Sequence, residues 1–304
     1  MKKIIFSAAL IAVLGFSSCS DQFLEDKKNY DNVTAEVYND YAGANGRVLD
    51  LYWWILPDPN SDASWKYPCS GKADGISKST EEYSGFGLFV DPQSELTVLG
   101  SNKVPDYYHN QSNNIRESVW GRIRNCNDVI AGITGSSLTE EQKNELLGQA
   151  YFLRAWCYYN IVKWYGGVPI ITQVQDPIET SFVPRSTTKQ CIEFICSDLD
   201  TAADMLRAKT TNGGWDGDNY GRVTTAAAMA LKGRVLLLWA SPLFNRANDE
   251  SRWTAAYEYI KASITDINAC GNHLYTTGSN VNGSDFAKMF TVICLLYTSP
   301  SPRD

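Results

Sequence analysis

Residues 139–171, TEEQKNELLGQAYFLRAWCYYNIVKWYGGVPII, leave this chain the least conformational freedom, because start, body and stop of one long helix are all written there. The Thr139 hydroxyl can cap the first turn while Gln142 reaches back to the cap's own N–H, and Glu140 and Glu141 suit the positive end of the helix. Leu146, Ala150, Leu153, Cys157, Ile161 and Trp164 recur at spacings of three and four. Leu147, Tyr151, Tyr158, Val162 and Tyr165 form a second stripe beside them, so the helix needs packing partners on two sides. Gly166 and Gly167 can take a positive φ at the C-cap, and Pro169 keeps the helix from resuming.

The same spacing logic predicts further helices. One runs from Val33 to Leu56 with Tyr38, Tyr41, Leu49, Tyr52 and Trp53, and stops at Pro57. Another begins at Ser112, with Ile115, Val119, Ile123, Cys126, Ile130 and Ile133 on one stripe, and ends near Gly135, so that 112–165 is an antiparallel helical hairpin. Thr187 and Gln190 form a second possible capping box, ahead of Ile192, Ile195, Leu199, Ala202 and Leu206, in a helix that fades around Lys209. Thr224 leads a helix with Ala227, Leu231, Val235, Leu238 and Trp239 inward, up to Pro242. The last stripe is Trp253, Ala256, Tyr257, Ile260, Ile264 and Ile267, ending near Gly271. Small residues at Ala150, Ala155, Ala227, Ala230 and Gly233 suit close helix approach. The expected fold is all-α, built from helical hairpins with long irregular loops; a strict 34-residue repeat is absent.

The run FLRAWCYYNIVKWYGGVPII resembles the signature helix of the SusD/RagB family, and Trp120-Gly-Arg-Ile-Arg-Asn-Cys-Asn127 resembles a second segment of it. The resemblance covers Cys19 to about Ile293 and is most specific between Trp120 and Ala240. It implies a stack of TPR-like hairpins. It also implies a surface lipoprotein that holds glycans, or in some branches peptides, above a SusC-like TonB-dependent transporter of the outer membrane.

Residues 1–18 carry Lys2 and Lys3 before an apolar run too short for a permanent membrane span, the pattern of a secretion signal. Phe16-Ser17-Ser18-Cys19 resembles a lipobox, which makes Cys19 the expected lipid-attachment residue and the acylated N-terminus of the mature protein. Two or more acyl chains are what stable anchoring takes. Ser20 and Asp21 agree with exposure on the outer face of the outer membrane in this family. The helical domain is expected over 19–293, incomplete at its C-terminus. Residues 294–304, CLLYTSPSPRD, resemble a translated sequencing-adaptor tail and are expected to be non-native.

The formal charge of −7 argues against a nucleic-acid partner. Cys126, Cys157, Cys191 and Cys196 fall within the expected helices without a C-x-x-C, so they read as small core residues, with no essential disulfide framework. His109 and His273 have no ligand-type residues at metal spacing, and Ser70-Gly71-Lys72 lacks the context of a phosphate loop. Asp216-Gly-Asp218 reads as a solvated turn, because Tyr220 stands where a calcium loop needs an oxygen ligand. No cofactor is expected. With 34 acidic residues, no glycosidase pair can be picked from sequence, and an enzyme is not expected.

The positive signal is aromatic: nine Trp and seventeen Tyr, whose flat faces can stack on the C–H faces of sugar rings. Trp120, Tyr151, Trp156, Tyr158, Trp164 and Trp239 lie in helices and are expected to be structural. Trp65, Tyr67, Tyr107 and Tyr108 lie in the irregular stretch 57–110 and are the candidate ligand-binding residues. The function expected is capture of oligosaccharide or polysaccharide and its transfer to the transporter. The alternatives are peptide binding of the RagB type and a secreted helical scaffold for protein assembly.

Overall fold

The computed structural model describes residues 36–56, 119–175, 182–207, 215, 219 and 221–271. Among them there is no strand, and the elements are α1 (Tyr41–Ile55), α2 (Val119–Thr134), α3 (Glu140–Tyr165), α4 (Thr188–Met205), α5 (Thr225–Ala240) and α6 (Glu250–Ala269). Each of α2 to α5 packs on the next in sequence, and α1 lies across α2 and α3. The result is a row of antiparallel hairpins, the expected all-α stack.

Both capping boxes form as the sequence predicts. Thr139 accepts from the backbone N–H of Gln142 while Gln142 accepts from the N–H of Thr139, and Thr187 and Gln190 repeat the exchange at the start of α4. Thr224 caps α5. The α1 cap is Asp40, so the regular helix starts later than Val33. The ends of α2 before Val119 lie outside the described residues, and α4 stops at Met205, ahead of Lys209.

The two glycines after α3 divide their work. Gly166 takes the positive φ, 70°. Gly167 does not; a Cβ there would fall 2.0 Å from the backbone oxygen of Ser186, so it is small because two chain segments cross. The crossing is held by Ser186 N–H donating to the Val168 carbonyl at 3.1 Å and by the Arg185 guanidinium donating to the carbonyls of Tyr165 and Gly167. The Gly-Gly-Val-Pro stop is therefore also a docking point for the strand of chain that enters α4.

The core runs continuously through the stack. Ile123, Cys126, Ile133, Leu146, Leu153, Tyr158, Ile161, Ile195, Leu199 and Leu206 are buried, at about 1.5–3 kcal/mol for each fully buried large aliphatic. Close approach relies on glycine as well as alanine. A Cβ on Gly132 would meet the Tyr38 ring at 2.2 Å, and one on Gly148 would meet Leu206 at 2.6 Å. Cys126, Cys157 and Cys191 are buried free thiols, Cys196 is half-buried, and burial pushes the Cys126 thiol well above its ordinary range.

Two expectations need correction. In α5 the buried positions are Thr225, Ala226, Ala228, Leu231, Gly233, Val235 and Ala240, while Ala227 is half-buried and Ala230 is exposed. α5 packs on α4 and α6 from different sides, so one stripe does not describe it. In α6, of the apolar stripe only Ala256 is buried, with Ser263 beside it, and Trp253, Tyr257 and Ile264 are exposed; among the described helices α5 is the one packed closely on it.

Candidate functional site

The expected site residues Cys19, Trp65, Tyr67, Tyr107 and Tyr108 lie outside the described residues, as does the side chain of Trp164. What the structure places is the frame on which the 57–118 segment is mounted. Its two ends are the C-terminus of α1 and the N-terminus of α2, and polar contacts fix both helices.

The first set of contacts joins α2, α3 and α4. Arg154, 5% exposed, projects from α3 between the rings of Tyr151 and Phe194, at 5.1 and 5.2 Å. Its Nε and Nη2 donate to the Asp198 carboxylate of α4 at 2.8 and 2.7 Å, and its Nη1 donates to Asn127 Oδ1 of α2 at 2.9 Å. Asn127 passes the network on, donating from Nδ2 to the Ile171 carbonyl at 3.0 Å, and Tyr158 Oη accepts from the Ile171 N–H at 2.7 Å. Burial pushes the Asp198 carboxyl up and the guanidinium opposes it. A fork-to-fork pair with its remaining donor also satisfied is the geometry in which a buried charge is tolerated. Both Arg154 of the LRA run and Asn127 of the Arg-x-x-Asn run thus serve to lock three helices and the extended segment at Ile171.

The second set seats α1. Tyr52 Oη donates to Gln149 Oε1 of α3 at 2.9 Å and accepts from the Val223 N–H at 2.9 Å. Tyr41 Oη donates to the Glu145 carboxylate. Arg222 donates to Asn45 Oδ1 at 2.6 Å and lies 5.3 Å over the Trp215 ring, whose Nε1 donates to the Val223 carbonyl at 2.8 Å. Near the start of α1, Tyr38 Oη donates to Asp128 Oδ2 of α2 at 2.8 Å, and Arg47 reaches the same oxygen at 3.3 Å. Burial pushes the Tyr38 and Tyr41 hydroxyls up to about 12, and raises those of Tyr52 and Tyr158 as well.

Against this buried frame one aromatic stands out. Trp53, in the last turn of α1 just before the 57–118 segment, is 67% exposed. Sequence reasoning placed it in an aromatic-rich helix without separating it from Tyr52. The helix period is the signal that could have done so, since Val48, Leu51 and Ile55 take the buried side. Of the helix aromatics expected to be structural, Tyr158 is buried and Trp120, Tyr151, Trp156 and Trp239 are half-buried against the core, while the side chain of Trp164 lies outside the described residues. Trp120 meets the Tyr158 ring edge-on with centroids 6.5 Å apart. Among the described residues no group of three or more His, Cys, Asp or Glu could hold a metal ion, and no helix is long and apolar enough to cross a membrane.

Comparison with known proteins gives a consistent answer. The model of a SusD-like family, described as "Starch-binding associating with outer membrane", matches residues 81–237. A SusD-like protein of Bacteroides ovatus is 24% identical over 262 residues, covering 85% of this chain and 43% of its own length. SusD-like protein P2 of Formosa agariphila is 27% identical over 144 residues, 43% of this chain and 28% of its own. Among solved structures, a SusD-like protein of Bacteroides fragilis superposes with a TM-score of 0.53 at 26% identity, over 79% of this chain and 40% of its own. A SusD-like carbohydrate binding protein of Bacteroides vulgatus gives 0.54 at 14% identity, over 79% and 47%, a likeness of fold alone. This chain spans less than half the length of each of these relatives.

Proposed function

The chain belongs to the SusD-like family, and from that membership we propose that it is a glycan-binding lipoprotein of the outer membrane, which captures oligosaccharides and passes them to a SusC-like TonB-dependent transporter. The observation that carries this reading is the family match over residues 81–237, which spans the frame residues Asn127, Arg154 and Asp198 together with Tyr107 and Tyr108. The family's own description names starch binding and association with the outer membrane.

The chemistry fits binding without bond cleavage. Aromatic faces bury the C–H face of a pyranose, and amide or carboxylate groups around them take the hydroxyls. Trp65, Tyr67, Tyr107 and Tyr108 supply those faces in this reading, with Trp53 at the margin. A rigid mount lowers the ordering cost of such a site, because the helices that carry the loop ends are already fixed by Arg154 and Tyr52. Cys19 carries the lipid that holds the protein on the outer membrane, facing the cell exterior.

Isothermal titration of the full-length protein against soluble polysaccharides and against peptides tests the reading. Affinity for a polysaccharide that falls in Trp65→Ala and Tyr107→Ala is the expected outcome. Affinity for peptides with none for any polysaccharide overturns it. Cys19→Ser should release the protein from membranes, and co-purification of a TonB-dependent transporter from solubilised membranes tests the partnership.

A further inference from the structure

Cys126 of α2 and Cys157 of α3 meet across the seam of the α2–α3 hairpin. The register of the two helices is set by Arg154 Nη1 donating to Asn127 Oδ1 at 2.9 Å and by the Trp120 and Tyr158 rings, whose centroids are 6.5 Å apart. Cys126 adjoins Asn127 in sequence, and Cys157 adjoins Tyr158, about one turn beyond Arg154, so both fall within that contact. They are 0% and 3% exposed, and a hydrogen bond joins their side chains. Burial first, and that bond second, keep the Cys126 thiol protonated. A single buried thiol is an ordinary small core residue. Two that touch across a helix seam are one oxidation away from a covalent cross-link.

We propose that Cys126 and Cys157 are an oxidisable pair, closed to a disulfide that ties α2 to α3 when the chain folds in contact with a disulfide donor. The inference stands apart from what the protein binds, and draws on the export reading only for where such a donor is met, since disulfides persist in exported proteins. Bonded sulfurs stand about 2 Å apart, with Cβ atoms roughly 4 Å apart. Side chains already in contact through sulfur therefore need a rotation and a small closing shift, not a new packing of the helices. The chemistry is two exchanges. One thiolate attacks the donor disulfide and expels a donor thiol; the second thiolate attacks the mixed disulfide and expels the other. Two S–H bonds of the chain become one S–S bond, and the donor leaves with both electrons and both protons as two thiols. The order of events follows from the core. A thiol that is buried and held protonated offers neither access nor thiolate, so the exchange takes place before the core closes, and the finished bond is then sealed from reductants. It closes a loop of about 30 residues, which restricts the unfolded chain, and it fastens α2 next to Asn127, where Arg154 and Asp198 meet.

Refolding of the full chain in a mixture of oxidised and reduced glutathione, against refolding in dithiothreitol, tests this. Free thiols are blocked with N-ethylmaleimide in denaturant and the peptides are mapped without reduction. The expected result is a linked 126–157 peptide after oxidative refolding, its near absence when reduced, folded protein is placed in the same mixture, and a thermal midpoint roughly 5 °C or more above that of the reduced protein. In Cys126→Ala and in Cys157→Ala that rise should vanish, which assigns it to this pair and not to the other cysteines. Absence of the linked peptide in wild type overturns the proposal, as does pairing of either thiol with a different cysteine in most chains. A linked peptide with a midpoint at or below that of the reduced protein overturns it too, because the seam then does not fit the bond, and so does oxidation of the folded protein as fast as of the unfolded chain. The mapping is made on wild type, so it decides the matter even where an alanine variant fails to fold, and no readout depends on a ligand.

Discussion

The guanidinium of Arg154 and the carboxylate of Asp198 meet through two hydrogen bonds of 2.8 and 2.7 Å, across 44 residues of sequence, with both side chains almost wholly removed from solvent. Such a pair is held by its geometry, and each partner makes the burial of the other tolerable. Arg154→Met leaves the Asp198 carboxylate and Asn127 Oδ1 without their donor, and is expected to cost about 3–5 kcal/mol in urea unfolding. Arg154→Met with Asp198→Leu is expected to recover much of that loss, since the charge is then gone from both sides. A double variant no more stable than the single one would contradict this account.

Gly132→Ala drives a methyl group into the Tyr38 ring, which lies 2.2 Å from the position of the new Cβ. A loss of about 1–3 kcal/mol is expected. Tyr38→Ala empties that space, so the two substitutions combined should cost less than their sum in a double-mutant cycle.

Gly166→Ala and Gly167→Ala separate backbone strain from crowding. The first places a Cβ at φ of 70°, for about 1 kcal/mol. The second meets the Ser186 backbone oxygen at 2.0 Å and must part the chain segments joined by the Ser186–Val168 hydrogen bond. Thermal unfolding should rank Gly167→Ala as the more damaging.

Alkaline pH should destabilise the protein as its buried tyrosines are forced to ionise. Burial raises the Tyr38 and Tyr41 hydroxyls to about 12 and lifts Tyr52 and Tyr158 too, whereas an unfolded Tyr ionises near about 10. Folded-state values above unfolded ones mean that the stabilisation is complete below about 10 and is lost as pH rises through about 12. Urea midpoints measured across that window, followed by tyrosinate absorbance, should fall as ionisation appears. Tyr41→Phe should flatten the slope.

Trp53→Ala tests whether the exposed end of α1 belongs to the binding surface. Removal of one stacking face is worth about 0.5–1.5 kcal/mol, a two- to tenfold loss of polysaccharide affinity. Because the indole is exposed, the unfolding midpoint should hardly move, which distinguishes a ligand contact from a packing role.

Local chemistry was readable in the sequence; what the chain meets at a distance was not. Thr139 with Gln142, and Thr187 with Gln190, declare their capping boxes because both partners lie within one turn. The role of Gly167 depends on Ser186, and that of Arg154 on Asp198, and nothing in either stretch names its partner. An arginine flanked by Leu153 and Ala155 inside a helix packed on two sides was a clue that it must be neutralised from elsewhere. In α5 and α6 the apolar spacing identified the helices correctly but not which flank is covered, because coverage is decided by neighbours. The candidate residues Trp65, Tyr67, Tyr107 and Tyr108 rest on composition and placement in an irregular stretch, and only their mounting on α1 and α2 is described.

The Tyr52 hydroxyl touches Gln149 and the Val223 N–H, the latter 171 positions further along the chain. The hairpins of the stack close between near neighbours, the contacts that form soonest, whereas α1 rests on a surface that all of α3 and the start of α5 must first create. In a polypeptide that emerges N-terminus first, α1 is made earliest and seated late. Until Val223 has followed it, α1 lacks one of the contacts that seat it, so the end of α1 that leads into 57–118 is fixed later than the start of α2, which Asn127, Arg154 and Asp198 already hold.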